Sequence, residues 1–310
     1  MREHVSGLPL RQSRGHAVDR AKYPMPMRQL FYLEEGVVEV QTLIEQLLFV
    51  TVRITTLTPE GRAGSGTGFV LAEDRPQGGA CLLLVTNKHV IEGAQTVTMH
   101  FLAASPDGRP QLGRERKLHA APDTFVGHPD PAIDVAMIGI GGSLEQLAQA
   151  GTPAFFRSVS TSMCATRKVL NDFEPIEPVT FIGYPNGLFD STSLLPIVRQ
   201  GHAATALNVD YEGKPRFLID ASVFPGSSGS PVFLVPRPSA PDKHGNITIG
   251  GPGRPPVLLG VVAAVHQRQV PVLQTDAGGG LPFVYDLIDL GIVYKANEIR
   301  SLATSMIQGV

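Results

Sequence analysis

The sequence predicts an all-β protein of two packed six-stranded antiparallel barrels, and three observations carry that expectation. Short apolar segments recur along most of the chain, many alternating with polar residues, and clusters of Gly, Pro and Asp separate them. The chain holds 33 Gly and 26 Pro, which suits many short strands joined by turns rather than long helices. At 310 residues it can enclose one large two-barrel domain whose interior needs neither disulfides nor metal.

Residues 1–28 are rich in Arg, Pro and small polar residues without periodicity and read as a mobile tail preceding a single domain over 29–310. Val37, Val38, Val40, Leu43, Ile44 and Leu47 predict a short helix within 30–48, leading into a strand at 49–55. Strands are then expected at 68–71, 81–85, 96–102, 116–120 and 134–140, completing a first barrel over about 47–142. Leu144, Leu147 and Ala148 have helical spacing and predict a linker helix at 142–151. The second barrel, about 178–295, takes strands at 179–183, 193–205, 215–221, 231–235, 257–265 and 283–293. Ala296, Ile299, Leu302 and Ala303 form one apolar stripe and predict a closing helix over about 295–306. Between the fourth and fifth of these strands lies a Pro/Gly/Ser-rich insertion, 236–256, whose length marks it as functional or disordered.

A formal net charge of −2 gives no global field for nucleic acid or an anionic membrane surface, so neither partner is expected. There are two cysteines, Cys81 and Cys164, and no dense cysteine pattern, which fits a reducing compartment. The first residues show no uninterrupted apolar core of a secretory signal, and no apolar run reaches membrane-spanning length. A cytoplasmic location is expected. Neither cysteine has metal-ligand neighbours, so both are read as buried apolar thiols, and no metal or cofactor is expected.

The chemistry concentrates in three motifs. Phe224-Pro225-Gly226-Ser227-Ser228-Gly229-Ser230-Pro231 puts serines in a glycine-flanked turn running into an apolar strand, a setting that exposes a nucleophile and lets a substrate carbonyl approach backbone N–H groups. Thr86-Asn87-Lys88-His89-Val90 follows the apolar run Leu82–Val85, and Asp134 lies among alternating apolar residues after the Pro-flanked Asp130. Alone, a serine in a glycine turn is more often a satisfied turn residue; the His and Asp motifs reverse that balance. Their order, His then Asp then Ser, departs from the Ser, Asp, His order of the α/β-hydrolase elbow, and Ser230 stands where that elbow needs its second glycine.

At these residues, over roughly Leu47 to Ile299, the chain resembles the trypsin-like (chymotrypsin-fold) serine peptidases, and within them the bacterial branch that includes the HtrA (Deg) proteases. Too little chain follows the second barrel for a PDZ domain, so the resemblance stops at the catalytic unit. It implies a serine endopeptidase acting on protein or peptide substrates through an acyl-enzyme, with Ser228 as nucleophile, His89 as general base and Asp134 orienting the imidazole. Ser227 and Ser230 are the competing serines; Gly229-Ser230-Pro231 aligns Ser228 with the catalytic position. The resemblance places the oxyanion hole at the N–H groups of Gly226 and Ser228, and the substrate pocket at Ser222, Val223, Ala263 and Ala264, with Ser222 near its base and Asp220 pointing away. In digestive members a freshly cut amine pairs with an Asp just before the nucleophile; here that position is Ser227, so activation by cleavage in the tail is not expected. Regulation is expected instead from loop ordering or a partner bound at 236–256.

Two readings from other classes stay open: a non-catalytic binding module on the same fold, and an esterase using the same site. Gly64-Ser65-Gly66-Thr67-Gly68 leads into a strand and not a helix, so it is read as a tight turn and not a phosphate loop. Asp130 is read as a turn-forming surface acid. His100 alternates with Val97, Met99 and Phe101 and is read as a solvated strand residue.

Overall fold

The computed structural model describes residues 40, 42–75, 78–171, 173–174, 176–235, 256–271 and 283–308. The expected tail lies outside them, as does the 236–256 insertion apart from Pro256. Two β-sheets form in chain order. The first takes β1 (Thr51–Leu57), β2 (Ala63–Asp74), β3 (Ala80–Thr86), β4 (Thr96–Ala104), β5 (Pro110–Ala120) and the short β6 (Val126–Gly127), β7 (Ala136–Gly139), β8 (Ala154–Phe155) and β9 (Val159–Ser160). Its path runs β5-β4-β1-β2-β3-β7-β6, with β8 on β4 and β9 on β2, so nine strands stand where six were expected. The second sheet is a closed barrel, as expected, in the order of β10 (Pro178–Gly183), β11 (Ile197–Ala203), β12 (Arg216–Asp220), β15 (Phe283–Lys295), β14 (Val257–Pro271) and β13 (Pro231–Leu234).

Five α-helices lie among the described residues: α1 (Leu43–Leu48), α2 (Lys88–Ile91), α3 (Gly141–Gln149), α4 (Arg167–Leu170) and α5 (Ala296–Gln308). The helix expected within 30–48 begins only at Leu43, because Thr42 and Glu45 form a capping box that satisfies two backbone donors at that point. The linker and closing helices fall within a residue or two of their expected positions. On α5 the predicted stripe Ala296, Ile299, Leu302 and Ala303 is fully buried.

Gly64 to Gly68 form no turn; they are strand residues of β2, paired with Ile54 and its neighbours on β1. Glycine is needed there for space. A Cβ at Gly66 would lie 2.5 Å from Val90, and one at Gly68 would lie 3.0 Å from both Ile54 and the Val85 carbonyl. Each sheet encloses its own apolar cluster, and a third joins them: Phe69, Leu71, Val85, Ile133 and Val135 of the first half pack with Ile182, Phe233, Val261 and Tyr294 of the second and with the α5 stripe. Apolar contact between the halves is thus continuous behind the loops that carry His89, Asp134 and Ser228.

His100 is not solvated. Its β4 register pairs it with Arg53 and Lys117, and the connection after β10 covers that face, so Arg53, His100 and Glu115 line one cavity with Tyr184, Leu194 and Pro196. Its side chain is 8% exposed. Nδ1 lies 2.6 Å from Glu115 Oε1; a carboxylate only accepts, so Nδ1 carries the proton and Nε2 accepts from Thr55 Oγ1 at 2.8 Å. Arg53 donates to the same Glu115 oxygen at 2.8 Å. Burial, with the Arg53 and Lys117 charges, holds the His100 imidazole below its ordinary range despite Glu115.

The unfolded chain therefore takes up that proton more readily than the folded one. Stability is complete above a pH of about 6.5 and falls as the pH drops from there toward the lower folded value. Burial works to raise the Glu115 carboxyl, but His100, Lys117 and Arg53 outweigh it and lower it, so its own contribution is lost only at more acidic pH. Thermal unfolding of the wild type and His100→Gln at pH 7.5 and 5.5 checks this. The variant is expected to show a smaller drop in midpoint than the wild type, and equal drops would contradict it.

Candidate active site

The site starts from register. Thr86 at the end of β3 pairs with Ala136 at the start of β7, so the residues just past β3 lie beside those just before β7. Asn87 leaves the strand in an extended conformation, the single turn α2 follows, and His89 projects from it. His89 N donates to Asp134 Oδ1 at 3.1 Å, and Nδ1 lies 2.5 Å from Oδ2. Since the carboxylate only accepts, Nδ1 bears the proton and Nε2 is left as the basic nitrogen on a ring that is 44% exposed. Asn87 Nδ2 donates to the Asp134 carbonyl at 2.5 Å, fixing the backbone of the acid from the same segment that carries the histidine.

The loop ahead of Asp134 is tied down from the other half of the molecule. Tyr294 Oη donates to the Ala132 carbonyl at 2.8 Å; burial, then the nearby Asp134 charge, raises its phenol above the usual range. His128 Nδ1 accepts from the Asp130 amide at 3.1 Å, and its Nε2 lies 3.4 Å from Glu298 of α5. Asp130 is exposed and caps its own turn through the Ala132 amide at 2.8 Å, the surface role expected of it.

The serine loop spans 224–230. The Ser227 amide donates to the Phe224 carbonyl at 3.0 Å, and Gly226 has φ +86°, the signature of a type II turn with Pro225 and Gly226 at its centre. Gly229 has φ +89°, and a Cβ there would overlap the Thr67 carbonyl oxygen. Gly229 N donates to the Val262 carbonyl at 2.8 Å and Val262 N to the Ser230 carbonyl at 2.9 Å, stitching the loop onto β14. Ser228 is half-buried and its Oγ donates to the Ala263 carbonyl at 3.0 Å; among the described residues no hydrogen bond joins it to His89. Ser227 and Ser230 are 1% and 0% exposed, and their hydroxyls have no partner among the described residues. Only Ser228 of the three reaches solvent. The Gly226 and Ser228 amides donate to no acceptor among the described residues.

Thr67, on β2, joins the parts. Its Oγ1 donates to the Gly226 carbonyl at 2.8 Å and accepts from Tyr184 N at 3.0 Å; its N donates to the Ser228 carbonyl at 2.9 Å, and its carbonyl accepts from Thr86 Oγ1 at 2.8 Å. Sequence reasoning passed over this residue; its one signal was a threonine between two glycines just ahead of a fully apolar strand segment.

The pocket residues are dispersed. Ser222 opens onto a polar cleft of about 440 Å³ that also holds Arg199, His202, Asp220 and Asp289. Asp220, expected to point away from Ser222, instead lines this same cleft, exposed between the buried Ile219 and Ala221, because residues two apart share a face. Val223 is 3% exposed and packs into the second-barrel core with Ile219, Val262 and Val293 instead of facing a cleft. Ala263 is 2% exposed in the core shared by the halves, and the Ala264 side chain lies outside the described ones. Cys164 is buried, which pushes its thiol up to about 12, and Cys81 is half-buried. Among the described residues no three His, Cys, Asp or Glu side chains gather as a metal site, and no helix is long and apolar enough to cross a membrane.

The family described as trypsin-like peptidase domain matches residues 66–235, and the chain belongs to it. That span includes His89, Asp134 and Ser228. No curated protein matches the chain. Among solved structures, the active form of the Rv3671c protease from M. tuberculosis is 19% identical with a TM-score of 0.43, the alignment covering 90% of this chain and 93% of that one. HL collagenase is 14% identical with a TM-score of 0.46, over 86% and 96% of the two chains, and GrC 12% with 0.44, over 84% and 94%.

Thr67→Val removes the hydroxyl while keeping the shape, and leaves the Gly226 carbonyl and Tyr184 amide buried and unpaired. At about 1–3 kcal/mol per orphaned group the expected loss of stability is roughly 2–6 kcal/mol, read by denaturant unfolding. Thr67→Ser, which keeps the hydroxyl, is expected to lose less than half of that. A valine variant as stable as the wild type would contradict the bonding described.

Proposed function

We propose that the protein is a serine endopeptidase in which Ser228 attacks the scissile carbonyl, His89 takes its proton and returns it to the leaving amine, and Asp134 holds the imidazole. The observation that carries this reading is the two-point grip of Asp134 on His89, at the backbone amide and at Nδ1, which turns the unprotonated Nε2 outward. In this reading the Ser228 hydroxyl leaves the Ala263 carbonyl, to which it donates at rest, and turns toward the imidazole by rotation about its Cα–Cβ bond. Attack forms a tetrahedral intermediate whose oxyanion is received by the Gly226 and Ser228 amides, each such donor being worth ~10²–10³ in rate. Collapse expels the amine protonated by His89, and water activated by the same base then cleaves the acyl-enzyme. No step calls on a cofactor. The finer placing near HtrA-type catalytic units, a cytoplasmic location and a partner at the 236–256 insertion belong to the same proposal.

Treatment with a fluorophosphonate probe separates this reading from a non-catalytic binding module. Wild type is expected to label at Ser228. Ser228→Ala is expected to lose labelling and at least ~10³-fold in peptide hydrolysis, with its thermal midpoint nearly unchanged, and His89→Ala to lose hydrolysis comparably. Labelling that persists on Ser227 or Ser230 in Ser228→Ala would count against the assignment. Comparing ester and amide turnover separates peptidase from esterase.

Specificity follows from the absence of a carboxylate at Ser222. The carboxylates in its cleft are Asp220, which is exposed, and Asp289, which faces the Arg199 charge, so neither offers a substrate Lys or Arg a free buried anion to offset its desolvation, and cleavage is expected after small or medium apolar residues. A peptide-library profile dominated by cleavage after basic residues would overturn this.

A further inference from the structure

The peptide between Pro225 and Gly226 decides whether the Gly226 amide can receive an oxyanion. Type I and type II turns over 224–227 differ by a flip of this central peptide, and a negative φ at the third position accompanies the flipped form. In a trans peptide the C=O and N–H point in opposite directions. Whatever holds the Pro225 carbonyl therefore sets where the Gly226 N–H is aimed. In this chain the holder is the amide of Asn186, which donates to the Pro225 carbonyl at 2.5 Å.

Asn186 reaches that carbonyl only because its backbone is left-handed, at φ 50° and ψ 26°, inside the short turn Pro185–Gly187 that follows β10. Asparagine and glycine tolerate this region, whereas alanine resists it and β-branched residues resist it more. The Asn186 side chain is exposed and has no hydrogen bond among the described residues, so it is the backbone that acts. The turn lies directly on the serine loop: a Cβ on Gly226 would stand 2.6 Å from the Tyr184 carbonyl, 3.0 Å from Asn186 N and 3.2 Å from Gly187 N. Its position is fixed from the first sheet. Tyr184 N donates to Thr67 Oγ1, Phe189 meets Tyr184 edge-on with ring centroids 6.3 Å apart, and the Arg53 guanidinium sits over the Phe189 ring at 4.6 Å. Arg53 is itself held by Glu115.

We propose that Asn186 is a positioning residue for the oxyanion hole: its left-handed turn, braced on Arg53 through Phe189, holds the 225–226 peptide in the orientation that presents the Gly226 N–H to substrate. The inference rests on the peptidase reading. It also names what does here the ordering that an inserted amine does where an acid precedes the nucleophile, since Ser227 offers such an amine no charge.

The test compares full-length wild type with Asn186→Gly, Asn186→Ala and Asn186→Val, all substitutions of an exposed side chain. A fluorogenic peptide from the library profile gives kcat and KM, and a peptide aldehyde of the same sequence reports on the hole, because its hemiacetal oxygen occupies it. The kcat is expected to follow left-handed tolerance, with Gly within about threefold of wild type, Ala lower, and Val lower by about tenfold or more, toward the ~10²-fold cost of one lost oxyanion donor. KM is expected to stay within about threefold, and aldehyde affinity to fall in parallel with kcat. If Val does not fold, the ordering of Gly above Ala in kcat and in aldehyde affinity decides the matter. A flat kcat across the series in an active wild type, or losses confined to KM, would overturn the role of Asn186 and leave the peptidase reading standing. A wild type that neither labels with the fluorophosphonate nor cleaves peptide removes both.

Discussion

Thr67 is fully buried and uses its amide, carbonyl and hydroxyl in four hydrogen bonds that tie the first sheet to the serine loop and to the chain leaving β10. Buried polar groups that lose their partners cost more than the bonds gain, so such a node is effectively all or none. That makes the serine loop a dependent of the first sheet. Gly229 is pressed against the Thr67 carbonyl, the Ser228 carbonyl receives the Thr67 amide, and the Gly226 carbonyl receives its hydroxyl. The loop has little independent freedom while Thr67 keeps its place.

Apolar burial supplies the other half of the arrangement. The cluster shared by the two sheets and α5 is non-directional; it brings the halves together without saying which atom meets which. Direction comes from single polar contacts at its edge. Tyr294 to the Ala132 carbonyl and His128 near Glu298 both reach the segment before Asp134, so the acid that grips His89 is steadied by the closing strand and helix of the other half. The segment before Asp134 and the loop that carries Ser228 are thus each held from the half that does not contain them.

Among the described residues no ion pair involves a residue of the serine loop. Ser227 and Ser230 are buried hydroxyls without partners among the described residues, and the loop's order comes from backbone bonds and glycine conformations. Charges lie one layer out, where Glu115, His100 and Arg53 gather beneath the connection after β10 and meet it through an aromatic ring. Partly buried charges in contact hold a geometry without placing a formal charge beside the Ser228 hydroxyl.

The all-β class, the order of most strands and the closing helix are legible in the sequence alone, because alternation and glycine-proline punctuation are local signals. It also singled out His89, Asp134 and Ser228, since three motifs in one order restrict the chemistry more than any one does. What it could not carry was contact between distant residues. Gly64 to Gly68 read as a turn because glycines usually mark turns; only the packing of Val90 and Ile54 onto that strand makes glycine a requirement of space. His100 read as solvated because strand alternation says which face a residue takes and not what covers that face; the chain from Tyr184 to Pro196, remote in sequence, supplies the cover. Val223 read as pocket lining and is turned into the barrel core by Ile219 and Val293. Thr67 and Asn186 bear no mark of their roles, since a hydroxyl or an amide gains its meaning from the carbonyl opposite it, and only the tertiary structure decides which carbonyl that is.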